Sequence, residues 1–515
     1  MPRLQEPTEP DGHVELAEPP GAARERAALA AVPLGSWIAG GLVRESAGDP
    51  IAVEDPATGE LLCAVPNADE ATAVRALDAA SAAQPRWAAT PASERRDVLR
   101  RGYDAVVGHT DELALLITLE MGKPLAEARA EVRYAAEFLR WFSEEATRVA
   151  GRYSDHPDGT GRVLTRKHPV GPCLLITPWN FPLAMATRKI GPALAAGCSV
   201  IVKPAKQTPL STLLLAQLFS DCGLPAGVLN VITTDRAGAV TAAMLADGRI
   251  RKLSFTGSTA VGRHLLAACA DGVIPCSMEL GGNAPLIVFD DADLAQAVDG
   301  ALLAKVRNGG ESCTAANRIY VQTGIARVFA EALTERMAAL RVGRGTEAVD
   351  VGPLIDRAAR DGVGGLVDDA VRNGARLLTG GHEMAGSGYF FEPTVLTDLA
   401  PDARMLKQEI FGPVAPIVSF EGEDDAVFAA NRTEYGLVSY VFTQDLNRAL
   451  RVSDRLDTGM VGINQGIVAN AAAPFGGIKQ SGSGKEGGPE GIDAYLTTKY
   501  IALEGAPAVP SMVLE

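Results

Sequence analysis

The stretch GPCLLITPWNFPLAMATRKIGPALAAGCSVIVKP (171–204) opens and closes on short apolar runs, Cys173 to Ile176 and Ser199 to Val202. Between them, Met185 to Ala196 has the composition and length of a helix. The alternation continues downstream. Pro209 to Cys222 reads as a helix, Val228 to Ile232 as a strand, Ala237 to Leu245 as a helix and Lys252 to Phe255 as a strand. Gly262 to Ala270 is again helical, and a last apolar run leads to Glu279. Strands separated by helices of this length require right-handed crossovers and so a mostly parallel sheet. The expected fold class is α/β with a doubly wound, nucleotide-binding type of sheet, whose ligands lie at the carboxyl ends of the strands.

Working outward, Val163 to Lys167 reads as a strand, and Asp69 to about Ala150 as alanine-rich helices broken at Met121-Gly122-Lys123-Pro124. Trp37 to Ala64 carries short strands with turns at Ala39-Gly40-Gly41 and Asp55 to Gly59. Residues 1–35 begin acidic and proline-rich, without an apolar secretory core, and are expected to be a disordered arm. Downstream, a second αβ series has strands near Leu286–Phe289, Arg318–Val321, Val414–Ser419 and Ser439–Phe442. The glycine-, lysine- and serine-rich Gly477 to Gly491 leads to Lys499–Leu503, a candidate edge strand for pairing with another subunit.

Composition narrows the function classes. The chain has 515 residues, enough for more than one domain, and its formal charge of −15 disfavours nucleic acid or an anionic membrane as partner. No uncharged apolar run reaches the length of a membrane span. Seven scattered cysteines, odd in number and without metal-site spacing, imply reduced thiols in a cytoplasm. The six histidines show no ligand spacing, so neither a metal nor a histidine-based triad is expected.

Five stretches carry chemistry. In Arg307-Asn308-Gly309-Gly310-Glu311-Ser312-Cys313 a cysteine stands among small and polar residues, unlike a core cysteine. Glu279, after an apolar run and before two glycines, is expected at a strand end facing a cleft, where burial raises a carboxyl toward neutrality. Asn180, between two prolines in Pro178-Trp179-Asn180-Phe181-Pro182, is either a turn residue or a donor to a developing oxyanion. Phe255 to Gly262 lies between a strand and a helix, where glycine and a helix N-terminus suit a phosphate or simply a tight turn. Lys203 and Lys206, just past another strand, suit ribose hydroxyls and an extra phosphate, or solvent.

Taken together, these motifs resemble the aldehyde dehydrogenase superfamily over about residues 36 to 504, and most nearly its succinate-semialdehyde dehydrogenases. TPWNFPLAMATRKIGPALAAGCSVIVKPAKQTP (177–209), KQEIFGPV (407–414) and APFGGIKQSGSGKEGG (473–488) carry the likeness. The resemblance implies a Rossmann-type cofactor domain (36–154 and 175–284) and an α/β catalytic domain (285–486). It adds a small β bridging and oligomerisation element (155–174 and 487–505), a tail at 506–515, and a homodimer or homotetramer. It assigns Cys313 as the nucleophile that forms a thiohemiacetal, and Asn180 with the Cys313 N–H as the oxyanion hole. Hydride passes to a nicotinamide cofactor, and Glu279 activates the water that hydrolyses the resulting thioester. Lys203, Gly257, Ser258, Glu409 and Phe411 match cofactor ligands; Trp179 lines the cofactor channel, and Leu280 lies beside Glu279. Arg188 and Arg307 match the pair that holds a distal carboxylate.

Three departures qualify the likeness. Lys206 stands where many NAD-using relatives carry glutamate, so NADP is expected over NAD. Ala469 stands where these enzymes usually place a carboxylate-binding serine, and Ala315 where some have a second, redox-active cysteine. The implied reaction is metal-free oxidation of succinate semialdehyde. The alternatives are a broader enzyme for glutarate semialdehyde or aliphatic aldehydes, and a catalytically silent scaffold on the same fold.

Overall fold

The computed structural model describes residues 20–504. Its first sheet has the order Gly482–Ser483, Cys276–Glu279, Lys252–Thr256, Cys173–Ile176, Val200–Lys203, Leu229–Val231, Ser36–Ile38, Gly41–Val43. The strands from Cys276–Glu279 to Leu229–Val231 are mutually parallel, as the alternating sequence requires. Register aligns Ile176 with both Phe255 and Lys203, and Thr256 with Glu279. The chain therefore leaves Ile176, Lys203, Thr256 and Glu279 along one edge.

A second sheet runs Arg376–Thr379, Thr394–Thr397, Val414–Phe420, Ala316–Gln322, Ala284–Val288, Val438–Phe442, Met460–Ile463. Residues 280–283 cross from the carboxyl end of one sheet to the amino end of the other. Cys313 lies three residues before the strand Ala316–Gln322, at that same crossing.

The helix Pro182–Ala196, buried throughout, shows how the apolar interior also carries the site. Proline stands at its start, where no N–H is needed, and Gly197 ends it in a left-handed conformation with φ 96°. Its exposed N–H groups are met by a buried carboxylate: Leu183 and Ala184 donate to Glu131 Oε1 at 3.0 and 3.2 Å. Glu131 is paired with Lys123 Nζ at 2.5 Å, and Lys123 also donates to the Asn180 carbonyl at 2.8 Å. The break at Met121–Pro124, seen in sequence as a helix boundary, thus delivers the lysine that steadies Asn180.

Three boundaries differ from expectation. The disordered arm expected at 1–35 is a helix over Pro20–Ala30. Ala28 and Val32 are buried, and Glu25 joins Arg344, which also binds Asp55. The alanine-rich half of the arm has a surface to pack on, which the preceding acidic, proline-rich run had obscured. The rest of the arm and the 506–515 tail lie outside the described residues. The small antiparallel sheet begins at Arg152–Asp155, before the expected boundary of 155. Its central strand runs Gly161–Pro169, held by register with Leu496–Glu504 from end to end. Finally, Gly482 and Ser483 pair with Glu279 and Met278, so part of the 285–486 segment belongs to the first sheet. Among the described residues no helix is long and apolar enough to cross a membrane.

Candidate active site

At the crossing between the sheets lies a cavity of about 280 Å³ walled by Asn180, Arg188, Arg307, Cys313, Glu409 and Phe411, among others. Trp179, Gly257 and Ser258 are shared with a neighbouring cavity of about 500 Å³, which holds Lys203 and Lys206. Leu280 lines the first. The two form one continuous cleft along the carboxyl edge of the first sheet.

The loop leading to Cys313 is built on backbone that few sequences adopt. After the helix Leu294–Val306, Asn308, Gly309 and Gly310 take φ of 60°, 63° and 78°. A Cβ on Gly310 would meet the Gly412 carbonyl at 2.2 Å, so glycine is obligatory. Asn308 tolerates the left-handed state because its side chain bonds locally, donating to the Glu311 carbonyl at 3.0 Å and to that of Asn180 at 3.1 Å. Asn180 Nδ2 donates to the same Glu311 carbonyl at 2.9 Å. One of its two N–H groups is thereby committed, and the amide is fixed with the other to offer. Gly282 sits so close that a Cβ would lie 2.2 Å from the Cys313 carbonyl.

Cys313 is half-buried, and its thiol is pushed up to about 12. Burial is the main cause and Glu409 adds to it, while Arg188 and Arg307 pull the other way. At rest Cys313 is a thiol, and its ionisation depends on nearby cations.

The two arginines, alike in sequence, differ in structure. Arg188 is 1% exposed, with Nε 2.9 Å from Glu486 Oε2 and its guanidinium 4.0 Å above the Phe475 ring. Arg307 begins the loop, half-buried, against Phe181 at 4.9 Å. Arg307 has no ion pair among the described residues, so its charge is the uncommitted one.

Glu279 ends its strand as expected but lines neither cavity, a correction to its expected place on the cleft. It is 3% exposed, and neither carboxylate oxygen has a hydrogen-bond partner among the described residues. The reason is the glycine-rich segment that pairs over it: a Cβ on Gly476 would lie 2.9 Å from Glu279 Oε1. Burial, and then the negative Glu486, hold its carboxyl well above the usual range. Glu486 itself is kept ionised against burial by Lys189, at 2.5 Å, and by Arg188. Glu486 and Lys189 lay inside the quoted strings without a role, because only folding brings residues 189, 279 and 486 together.

The larger cavity fits a dinucleotide. Ser258 caps the helix Thr259–Ala270, accepting from Val261 N at 3.4 Å, so this helix N-terminus opens on the cleft. Gly257 has no room for a side chain, since a Cβ would strike the Phe255 ring at 2.5 Å. Lys203 is 7% exposed and pushed down to about 8 by burial; Lys206 is exposed at the rim. Trp179 and Phe411 meet edge to face, 5.4 Å apart, and Phe411 holds an unusual φ of 54°. Glu409 accepts from Gly282 N at 3.1 Å, with its carboxyl raised to about 7 by burial.

Residues 43–501 match the aldehyde dehydrogenase family. The chain belongs to that family. The succinate-semialdehyde dehydrogenase of Paenarthrobacter nicotinovorans is 55% identical, over 86% of this chain and 99% of that one. A glutarate-semialdehyde dehydrogenase of Pseudomonas aeruginosa is 48% identical, over 91% and 97%. The crystal structure of an Escherichia coli NADP-dependent enzyme superposes with a TM-score of 0.91 at 47% identity, covering 92% of this chain and 99% of that chain. This aldehyde dehydrogenase is thus an oxidoreductase of small aldehydes that uses a nicotinamide cofactor.

Proposed function

We propose that the enzyme oxidises succinate semialdehyde to succinate, with NADP preferred over NAD. The observation that carries the substrate is Arg307, a guanidinium on the cavity wall with no ion pair among the described residues. A semialdehyde carboxylate is the partner such a group lacks, and a guanidinium holds it bidentately. Arg188 lends a second positive charge, tempered by Glu486.

In this reading Cys313 Sγ attacks the aldehyde carbon, and the uncommitted N–H of Asn180, with the Cys313 N–H, holds the oxygen as it becomes negative. A bound nicotinamide would take the hydride from the thiohemiacetal carbon, leaving a thioester on Cys313. Lys203, Gly257, Ser258, Glu409 and the Trp179–Phe411 pair would hold the cofactor, with Leu280 beside Glu279. Glu279 then takes a proton from water to release the acid, after its side chain turns from its buried position into the cavity. Its raised carboxyl suits a base working near or above neutrality. Lys206 supports NADP because a cation at the rim attracts a 2′-phosphate where a carboxylate would repel it.

Glutarate semialdehyde remains a second reading, favoured by one observation. Ala469 lines both the active-site cavity and an adjacent cavity of about 190 Å³, which gives a longer acid room to extend. The sheet that includes Gly161–Pro169 and Leu496–Glu504 is the proposed joint of a homodimer or homotetramer, and the cytoplasm the proposed compartment. The test is kcat/KM for succinate semialdehyde, glutarate semialdehyde and butanal, each with NADP and NAD. Succinate semialdehyde with NADP should lead, and equal use of butanal would overturn the proposal.

A further inference from the structure

Tyr134 lies on the helix Leu125–Glu145. Its ring packs edge to face on Phe138, with centroids 4.8 Å apart. Tyr134 and Ala469 are the residues common to the active-site cavity and the adjacent one, so the tyrosine stands where the two meet. Its hydroxyl is buried yet has no hydrogen-bond partner among the described residues. Buried hydroxyls are nearly always satisfied, and one left open on a cavity wall marks a place for a ligand atom.

The surroundings say which atom. Arg188 and Arg307 line the same cavity wall and, with Glu486, act electrostatically on this phenol, while Cys313 beside them is a neutral thiol. Guanidiniums have no acceptor, so they can meet the phenol's lone pairs but not its proton. Glu486 is ion-paired with Arg188 and Lys189 and accepts no hydrogen bond from the Tyr134 hydroxyl. Burial holds the phenol in its protonated form despite the two cations. The unmet need is an anionic acceptor in the same cavity as Arg307.

We propose that the Tyr134 hydroxyl donates a hydrogen bond to the distal carboxylate of the substrate, beside Arg307 and in a wall where Ala469 offers no donor. This rests on the carboxylate reading above and adds a residue to it. It makes Tyr134 a determinant of acidic over neutral aldehydes, because an alkyl tail in the same place leaves the hydroxyl unmet.

The test is Tyr134→Phe, which keeps the ring and its packing on Phe138. A hydrogen bond to a charged group predicts a KM for succinate semialdehyde raised about 10- to 100-fold, with kcat within about threefold. Butanal should keep its kcat/KM within about threefold, and the Kd for succinate should weaken in step with KM. Equal losses for both aldehydes would show a packing role and overturn the assignment. Unchanged KM and Kd, in an enzyme whose wild type prefers the acid, would overturn Tyr134 alone. A wild type that does not distinguish the aldehydes overturns the carboxylate reading, and the Tyr134 role falls with it.

Discussion

Replacing Arg307 and Arg188 separately by alanine should give two different failures. Arg307 is half-buried and has no ion pair among the described residues, and Glu127, which it helps to hold ionised, keeps Lys123 and the Asn308 N–H. Stability should change by about 0.5 kcal/mol or less, as at ordinary surface sites. Substrate binding should suffer much more. A charge-assisted hydrogen bond contributes about 1.5–3 kcal/mol, and about 3 kcal/mol for the clamp is about 150-fold in kcat/KM. The loss should fall mainly on KM, since the carboxylate is remote from the reacting carbon. Arg307 also lowers the Cys313 thiol, so Arg307→Ala should slow butanal a few-fold at neutral pH. The ratio of the two substrates is therefore the proper readout.

Arg188→Ala instead breaks a buried pair. Removing one partner of such a pair costs about 3–5 kcal/mol. Glu486 still has Lys189 at 2.5 Å, which places the cost near about 3 kcal/mol. Initial rates by nicotinamide absorbance and denaturant melts of both variants decide the matter. An Arg307→Ala enzyme with an unchanged succinate semialdehyde to butanal ratio would refute the clamp. An Arg188→Ala enzyme as stable as wild type would refute the ion-pair accounting.

Four further outcomes are expected. Glu279→Gln should still acylate, giving a burst of reduced cofactor, while steady turnover falls by about 10²–10⁴-fold; full turnover would exclude Glu279 as the base. The same variant tests linkage. A carboxyl raised by burial and Glu486 favours folding while protonated, and that contribution is lost as pH rises through its folded value. Glu279→Gln should therefore gain stability relative to wild type as pH rises, seen as a widening difference in Tm; a constant difference would refute the shift. Lys203, pushed down to about 8, should lose its charge above that pH, raising the KM for NADP, and Lys203→Met should abolish this limb. Finally, Lys206→Glu should shift the NADP to NAD preference by about tenfold toward NAD, given how little exposed charge pairs contribute. An unchanged ratio would leave Lys206 without a role in that choice.

Much of the architecture was legible because it rests on local rules. The run 171–279 alternates apolar strands and helices, and a parallel sheet follows from connection length and handedness. The turn at Gly257–Ser258 and the glycines around Cys313 were visible because backbone that needs small residues advertises them. The strands Arg376–Thr379, Thr394–Thr397 and Met460–Ile463 were not read, being four residues each with weak alternation. The Pro20–Ala30 helix was missed because its amphipathic signal is slight and only the partner surface favours it.

What sequence alone determined was the set of reactive groups: a thiol, a carboxyl, an amide, two lysines and two arginines, in an order that implies one cleft. What only the tertiary structure decided was the state of each group. Arg188 is bound to Glu486 while Arg307 is uncommitted; Glu279 is withdrawn beneath a glycine-rich strand; Tyr134 holds an unmet hydroxyl between cations. The physical reason is that burial, ion pairing and hydrogen-bond satisfaction depend on neighbours in space. Residues 134, 188, 279 and 486 become neighbours only on folding around the first sheet, and Arg307 joins them only where the two sheets meet.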